Sequence, residues 1–312
     1  MSEQHNKKTV IIDQVVKTIL LSLAILSASF IFVIAGVILF KGMVPFISQN
    51  DGLGRVSFFR FLTGNTWLVG ETFSSNLYSV GFIIVQTLYV TFLSLLISFP
   101  IGVLTALFIA KIAPKKVSNL LRTVVEMLAS IPSIIYGLFG AGVILKLVYD
   151  FSALFGYQSK GGSSILSSVI ILALMTIPTI TTVSEVSIRS VDKTLIHGSL
   201  ALGATPTQTH FKVVLAAAKS GIFTSVVLGV GRALGEATAI SLVAGGRRSG
   251  LSFNLFDTTS TLTTTMLEGM KESAGLDYNI RFSVGIILMV VILFTNLTLN
   301  WMKRKVGQVH VK

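Results

Sequence analysis

Two ionisable residues stand in the middle of an apolar run. The stretch Lys219–Arg247 is apolar and long enough between Gly221 and Gly246 to cross a bilayer, yet it carries Arg232 and Glu236. At that depth each charge costs roughly 2.5–3.5 kcal/mol on an insertion scale, so its retention points to a function. Four residues apart, the two share a helix face and can pair, which predicts either a polar pathway or a structural clasp between helices. Gly231 and Gly235 have the same spacing and predict a close approach by another helix. The Gly229–Leu234 segment fails the GxGxxG/A nucleotide fingerprint at its last position, and no strand precedes it.

Two prolines interrupt other apolar runs among hydroxyls, in Ser130-Ile131-Pro132-Ser133 and Thr176-Ile177-Pro178-Thr179. A helix restarting after such a break aims free N–H groups and a positive dipole end at the gap, which suits anions. The alternative at each is a kink whose freed carbonyl is satisfied by Ser or Thr. Ser130, Ser133 and Thr238 supply hydroxyls for a substrate path, and Pro132 and Pro178 supply hinges.

The elements that must position these groups follow from composition. The 312 residues are 52% hydrophobic and 12% charged, and the mean hydropathy is +0.81, which predicts an all-α polytopic membrane protein. Six spans are expected: Thr18–Phe40, Phe82–Ala110, Leu120–Leu147, Ile165–Val183, Gly221–Gly246 and Phe282–Met302. The first is too long for a signal-peptide core and reads as a retained anchor. The corresponding division is a cytoplasmic segment 1–17, an anchor 18–40, an outer loop 41–81, a five-helix core 82–302 and a cytoplasmic tail 303–312. The larger share of Lys and Arg, including the short KIAPKK loop at Lys111–Lys116, then falls on the side of both termini. By the positive-inside rule both ends are cytoplasmic. The net charge of +12 is thus largely topological, and nucleic-acid binding is not expected.

Several chemistries have nothing to stand on. With no cysteine there is neither disulfide nor thiolate metal site, and His5, His197, His210 and His310 lie outside the apolar runs. Neither HExxH nor GxSxG occurs, no nucleophile–base pair is apparent, and no cofactor is called for. The outer loops Gly42–Gly81, with Trp67 and Glu71, and Arg247–Arg281 read as docking surfaces or as plain covers. Within the second, the hydroxyl run Thr258–Thr265 reads as a solvated loop or a short helix start.

Residues 184–220, between the fourth and fifth spans, are too long for a simple connection. A helix over Leu195–Leu202 should end at Gly203, and a second should begin at Thr205 with Pro206 in its first turn and Gln208 completing a capping box. His210, Phe211, Val214 and Leu215 continue it into the charged span. Such an elbow suits the transfer of force across the membrane, or alternatively an interfacial helix resting on lipid.

The block Ser199-Leu200-Ala201-Leu202-Gly203-Ala204, followed by Val213-Val214-Leu215, resembles the EAA loop of ABC importer permeases. His197 stands where that family carries Glu, and Ala216 where it carries Pro. The resemblance implies a type I ABC importer permease fold, with His197, Ser199, Leu200, Leu202, Gly203, Ala204, Thr205 and Phe211 coupling to an ATPase. The runs Ile131–Gly140 and Gly231–Ala239, with the order of the first outer loop, are similar to the permeases of the high-affinity phosphate importer, most of all its C-type subunit. That similarity implies a multi-pass subunit of the bacterial inner membrane, forming a heterodimer with a homologous sister permease. Two ATPase subunits and an external phosphate-binding protein would complete the complex. No Walker A motif occurs in this chain, so it is expected to translocate without hydrolysing ATP. Other readings are the same permease class with sulfate, molybdate or another solute as cargo, and a non-transporting scaffold or sensor.

Overall fold

The computed structural model describes residues 2–68 and 77–307. The chain runs through α1 (Ser2–Ile47), α2 (Phe58–Thr63), a two-strand antiparallel hairpin β1 (Trp67–Leu68) and β2 (Leu77–Tyr78), and α3 (Gly81–Leu107). There follow α4 (Lys115–Ser130), α5 (Ser133–Phe139), α6 (Leu145–Leu154), α7 (Ile165–Arg189), α8 (Lys193–Ala201) and α9 (Pro206–Gln208). The last are α10 (Leu215–Gly235), α11 (Thr238–Ser241), α12 (Leu262–Leu267) and α13 (Gly275–Gly307). π-helical turns join α5 to α6 and α9 to α10, and extend α3 to Ile112.

Among the described residues six helices are long and apolar enough to span a bilayer: Asp13–Ile47, Gly81–Ile112, Ser133–Leu154, Ile165–Arg189, Pro206–Gly235 and Gly275–Lys305. The number matches the sequence reading; the first, fourth and sixth spans are longer than expected, and the third and fifth start elsewhere. The third starts at Ser133, not Leu120, because Ile131 and Pro132 are extended and cut α4 off as a separate amphipathic helix. The fifth starts at Pro206, not Gly221, and ends at Gly235. Its cap lies at Thr205, and Lys212 and Lys219 do not interrupt a helix. Only 190–205 of the expected 184–220 loop therefore lies outside the flanking helices, and the tail from 303 is helical as far as Gly307. The described residues of 41–81 hold the end of α1, α2 and the two strands; Glu71 lies outside the described residues.

Helix α7 is the centre of the bundle, flanked by α3, α4 and α10. Its Ile180 is fully buried between two glycines: a Cβ added at Gly102 of α3 would meet Ile180 at 2.8 Å, and one at Gly229 of α10 at 3.2 Å. Small residues at these crossings bring the helices close, and Ser184 and Ser225 share a hydrogen bond (2.9 Å) across the α7–α10 contact. By contrast α1 exposes apolar side chains along Val15–Phe40 and packs on α13 through its later turns. There Ser283 donates to the Gly42 carbonyl (2.6 Å) and Lys41 lies over the Tyr278 ring.

The hydroxyl run Thr258–Thr265 is not a solvated loop. All of its residues are buried, and Thr261 and Thr264 form a reciprocal cap that starts α12. The segment is tied inward where the Leu262 N–H donates to Thr87 Oγ1 (3.0 Å) and Thr259 Oγ1 donates to Gln86 Oε1 (3.4 Å). Buried hydroxyls persist because they find partners, and none of this run is among the buried polar atoms left without one.

Candidate functional site

Helix α10 stops one residue before Glu236, whose backbone is extended (φ −77°, ψ 116°). The helical face that Arg232 and Glu236 were expected to share therefore does not form. Arg232, in the last turn, donates from Nη1 to Thr179 Oγ1 of α7 (2.9 Å). Glu236 turns the other way: its Oε1 accepts the Ala239 N–H (2.9 Å) at the start of α11, and its carbonyl accepts from Thr263 Oγ1 (2.8 Å). Among the described residues no ion pair joins Arg232 to Glu236. The guanidinium has five N–H donors, and here it leans on a neutral hydroxyl, so its charge is not cancelled.

A second break lies against the first. Helix α5, which restarts after Pro132, packs on α11, and a Cβ at Gly137 would lie 2.9 Å from the Ala239 Cα. Tyr136, buried in α5, donates its hydroxyl back to the Leu128 carbonyl across the α4–α5 break (2.9 Å). Ser130 is exposed and bonds its own helix at Met127, whereas Ser133 and Thr238 are half-buried at the starts of α5 and α11. Arg232, Glu236 and Thr238 thus meet at the α10–α11 break, with Ser130 and Ser133 at the adjoining α4–α5 break.

Pro178, unlike Pro132, sits inside an unbroken α7, with its carbonyl accepting from Thr182 Oγ1 (2.9 Å). Gly231 and Gly235 do not seat a helix of this chain: a Cβ at either would meet nothing within 4 Å. The glycines of α10 that do are Gly221, against Ser187 of α7, and Gly229, against Ile180. The expected packing face of α10 is open instead, beside Arg232. Thr179, the partner of Arg232, was visible only as one hydroxyl of a proline cluster.

On the side of the elbow, α8 is capped by Asp192, and hydrogen bonds from Thr194 hold that carboxyl below its usual range. Leu202 closes α8, Gly203 takes the left-handed conformation (φ +84°), and Thr205 and Gln208 complete both halves of the capping box. Ser199 shares a hydrogen bond with Thr209 (2.9 Å), bracing the two arms. The tip is apolar and open: Leu202 is 91% exposed, and Leu195, Leu200 and Phe211 are also exposed. His197 is exposed on α8, and Ala204 is half-buried in the turn.

Behind the elbow lies a charge cluster that sequence reasoning passed over. Glu185 is buried, with its Oε1 taking Arg189 Nε (2.7 Å) from its own helix and Arg122 Nε (3.2 Å) from α4. Arg189 also reaches the Ile109 carbonyl and Ser118 Oγ (both 3.2 Å), so α3, α4 and α7 are joined immediately before the elbow. The four-residue spacing of Glu185 and Arg189 was the available signal.

At the other end of the bundle, Asp257 holds the segment between α11 and α12. Desolvation pushes its carboxyl upward, but hydrogen bonds from Ser252 (2.6 Å) and Tyr157, with the Arg247 charge, outweigh it and leave the group below the usual range. A cavity of about 420 Å³ adjoins this loop, lined by Trp67, Arg247, Arg248, Glu268, Asp277 and Arg281 among others.

Known proteins resemble this chain in sequence and in fold. Residues 98–308 match the model of the family described as "Binding-protein-dependent transport system inner membrane component". The probable ABC transporter permease protein YqgH of Bacillus subtilis is 38% identical over 253 residues, covering 80% of this chain and 78% of that protein. The phosphate transport system permease protein PstC 1 of Mycobacterium tuberculosis is 30% identical over 292 residues (84% and 86%), and PstC of Pasteurella multocida 32% over 248 (75% and 76%). In fold, a chain of the bacterial alginate ABC transporter superposes with a TM-score of 0.61 at 21% identity, covering 93% of this chain and 96% of that one. One from the methionine transporter MetNI gives 0.54 at 19% identity (73% and 94%). With its six spans, its broken fifth helix and a family match over most of its length, the chain is a multi-pass ABC importer permease, a member of the binding-protein-dependent transport system inner membrane components.

Proposed function

We propose that this permease carries inorganic phosphate from an external binding protein into the cytoplasm, past Arg232. One observation carries the reading: a guanidinium at a helix break rests on the neutral Thr179 hydroxyl, with no carboxylate among the described residues paired to its remaining donors. A planar fork of this kind suits phosphate oxygens. The phosphate-permease relatives support the cargo. Arg232, Glu236, Ser130, Ser133 and Thr238 line the route in this reading. Glu236 holds the break open by capping α11 and does not neutralise the arginine. Passage requires release as well as capture, so tight selection belongs to the external binding protein.

The open Gly231–Gly235 face beside Arg232 receives a homologous sister permease, and the route runs between the two chains. The exposed Leu195, Leu200, Leu202 and Phe211 at the elbow enter a cleft of one of two ATPase subunits. His197, Ser199, Gly203, Ala204 and Thr205 shape that contact. Both termini lie in the cytoplasm of a bacterial cell and ATP is hydrolysed on the partner subunits.

Uptake into vesicles holding the assembled importer tests this. Arg232→Leu and Glu236→Gln should leave assembly intact, and Arg232→Leu should lower phosphate uptake about 10- to 100-fold, the loss of one charge-assisted contact. Unlabelled phosphate should compete, whereas sulfate and molybdate should not. Normal transport by Arg232→Leu sinks the reading of the route, and competition by sulfate alone sinks the cargo. Failure of any ATPase to co-purify would favour the scaffold.

A further inference from the structure

An apolar groove of about 310 Å³ runs between α3 and α10, outside the route just described. Phe99 and Val103 form one wall, and Leu215, Ile222, Phe223 and Val226 the other, with Lys219 in the half nearer the elbow. We propose that this groove binds one anionic phospholipid, an acyl chain lying between Phe99 and Phe223 and the phosphate of the headgroup resting on Lys219.

Three observations select that occupant. The first is direction. At about 100° per residue, Phe223 lies about 180° around α10 from Arg232, and the groove residues as a group lie about 160° from the Gly231–Gly235 pair. The groove therefore opens away from both the route and the face open to a second permease. It faces the bilayer. The second is continuity. Phe92 and Leu96, both exposed, lead along α3 to Phe99 as one apolar stripe of lipid-facing character. An acyl chain in the groove has apolar surface to follow along its length.

The third is charge at the right height. Lys219 takes part in none of the ion pairs found among the described residues, and it is half-buried beside otherwise apolar walls. Gly221 of α10 packs against Ser187 of α7, so Lys219, two residues nearer the elbow, lies level with Arg189 at the end of the fourth span and reaches the headgroup level of the leaflet on the elbow side. A lysine there with no carboxylate partner complements a lipid phosphate and does not suit a neutral helix.

This site rests on the chain being a membrane permease and not on its cargo, so it is tested without transport. The purified importer complex is equilibrated in micelles containing equal amounts of phosphatidylglycerol and phosphatidylcholine, and retained lipid is read by native mass spectrometry. The intact protein should hold phosphatidylglycerol preferentially, and Lys219→Gln should reduce that preference about fivefold. Val226→Trp, which fills the groove while leaving the lysine, should lower retention of both lipids. Unchanged retention in both variants overturns the proposal, as does an equal loss in Lys212→Gln, which would mark a diffuse charge effect. A photo-crosslinker at Phe223 should capture lipid; capture of a permease chain there would overturn the site and leave the phosphate reading untouched.

Discussion

Pro132 and Pro178 sit in nearly the same tetrapeptide, a hydroxyl residue, Ile, Pro and a second hydroxyl residue, and the chain treats them differently. At Pro132 the helix ends and begins again. At Pro178 it runs straight on. A proline inside a helix costs about 3 kcal/mol through a lost hydrogen bond and a clash, so something must offset it at the second site. Helix α7 has the means: Thr176, Pro178, Ile180 and Thr181 are buried, and Ile180 is gripped between glycines of two neighbours. Helix α4 has far less. It leaves Leu120, Val124 and Met127 exposed and buries only Ser118 and Val125, so nothing holds Ile131 helical against the proline that follows. Pro206 is a third case, placed at the first helical position, where the missing N–H had no partner to lose. Packing, and not the local signal, decides which proline opens a gap.

The largest expected effect comes from removing that packing. Ile180→Ala should destabilise the protein by about 3 kcal/mol, read as a lower unfolding temperature in detergent. A negligible change would mean that α7 is held through Pro178 by something else. Next, Pro132→Ala should let α4 and α5 fuse, withdraw α5 from α11 and reduce phosphate uptake about tenfold. Pro178→Ala should leave uptake within about twofold, because that helix is already continuous; equal losses in the two variants would erase the distinction. The smallest effect belongs to the elbow. Thr205→Ala should cost about 1 kcal/mol of helix capping and lower the transport-coupled ATPase rate, and Thr205→Ser should restore it.

The elbow was the most legible part because its determinants are local. Gly203, Thr205, Pro206 and Gln208 each act within a few residues, and each has the conformation its type calls for. The six spans were legible because apolar length is also local. The site was less so. Nothing in Gly231–Ala239 signals a stop before Glu236: the stop depends on Thr263, far along the chain, taking the Glu236 carbonyl, and on Thr179 drawing Arg232 toward α7. Burial of Thr258–Thr265 was hidden for the same reason, since Thr87 and Gln86 on α3 supply the partners. The tie from Arg122 was hidden because its partner Glu185 lies on another helix.

All of this bears on whether the break beside Arg232 is wet while the opposite face of α10 is dry. The chain has no cysteine of its own, so one introduced thiol reports alone. In the assembled importer, Thr238→Cys should react with a membrane-impermeant thiosulfonate at a rate that changes when ATP turnover is trapped, and Phe223→Cys should stay unreactive. An inert thiol at Thr238 beside a reactive one at Phe223 would place water on the wrong side of the helix and contradict the account.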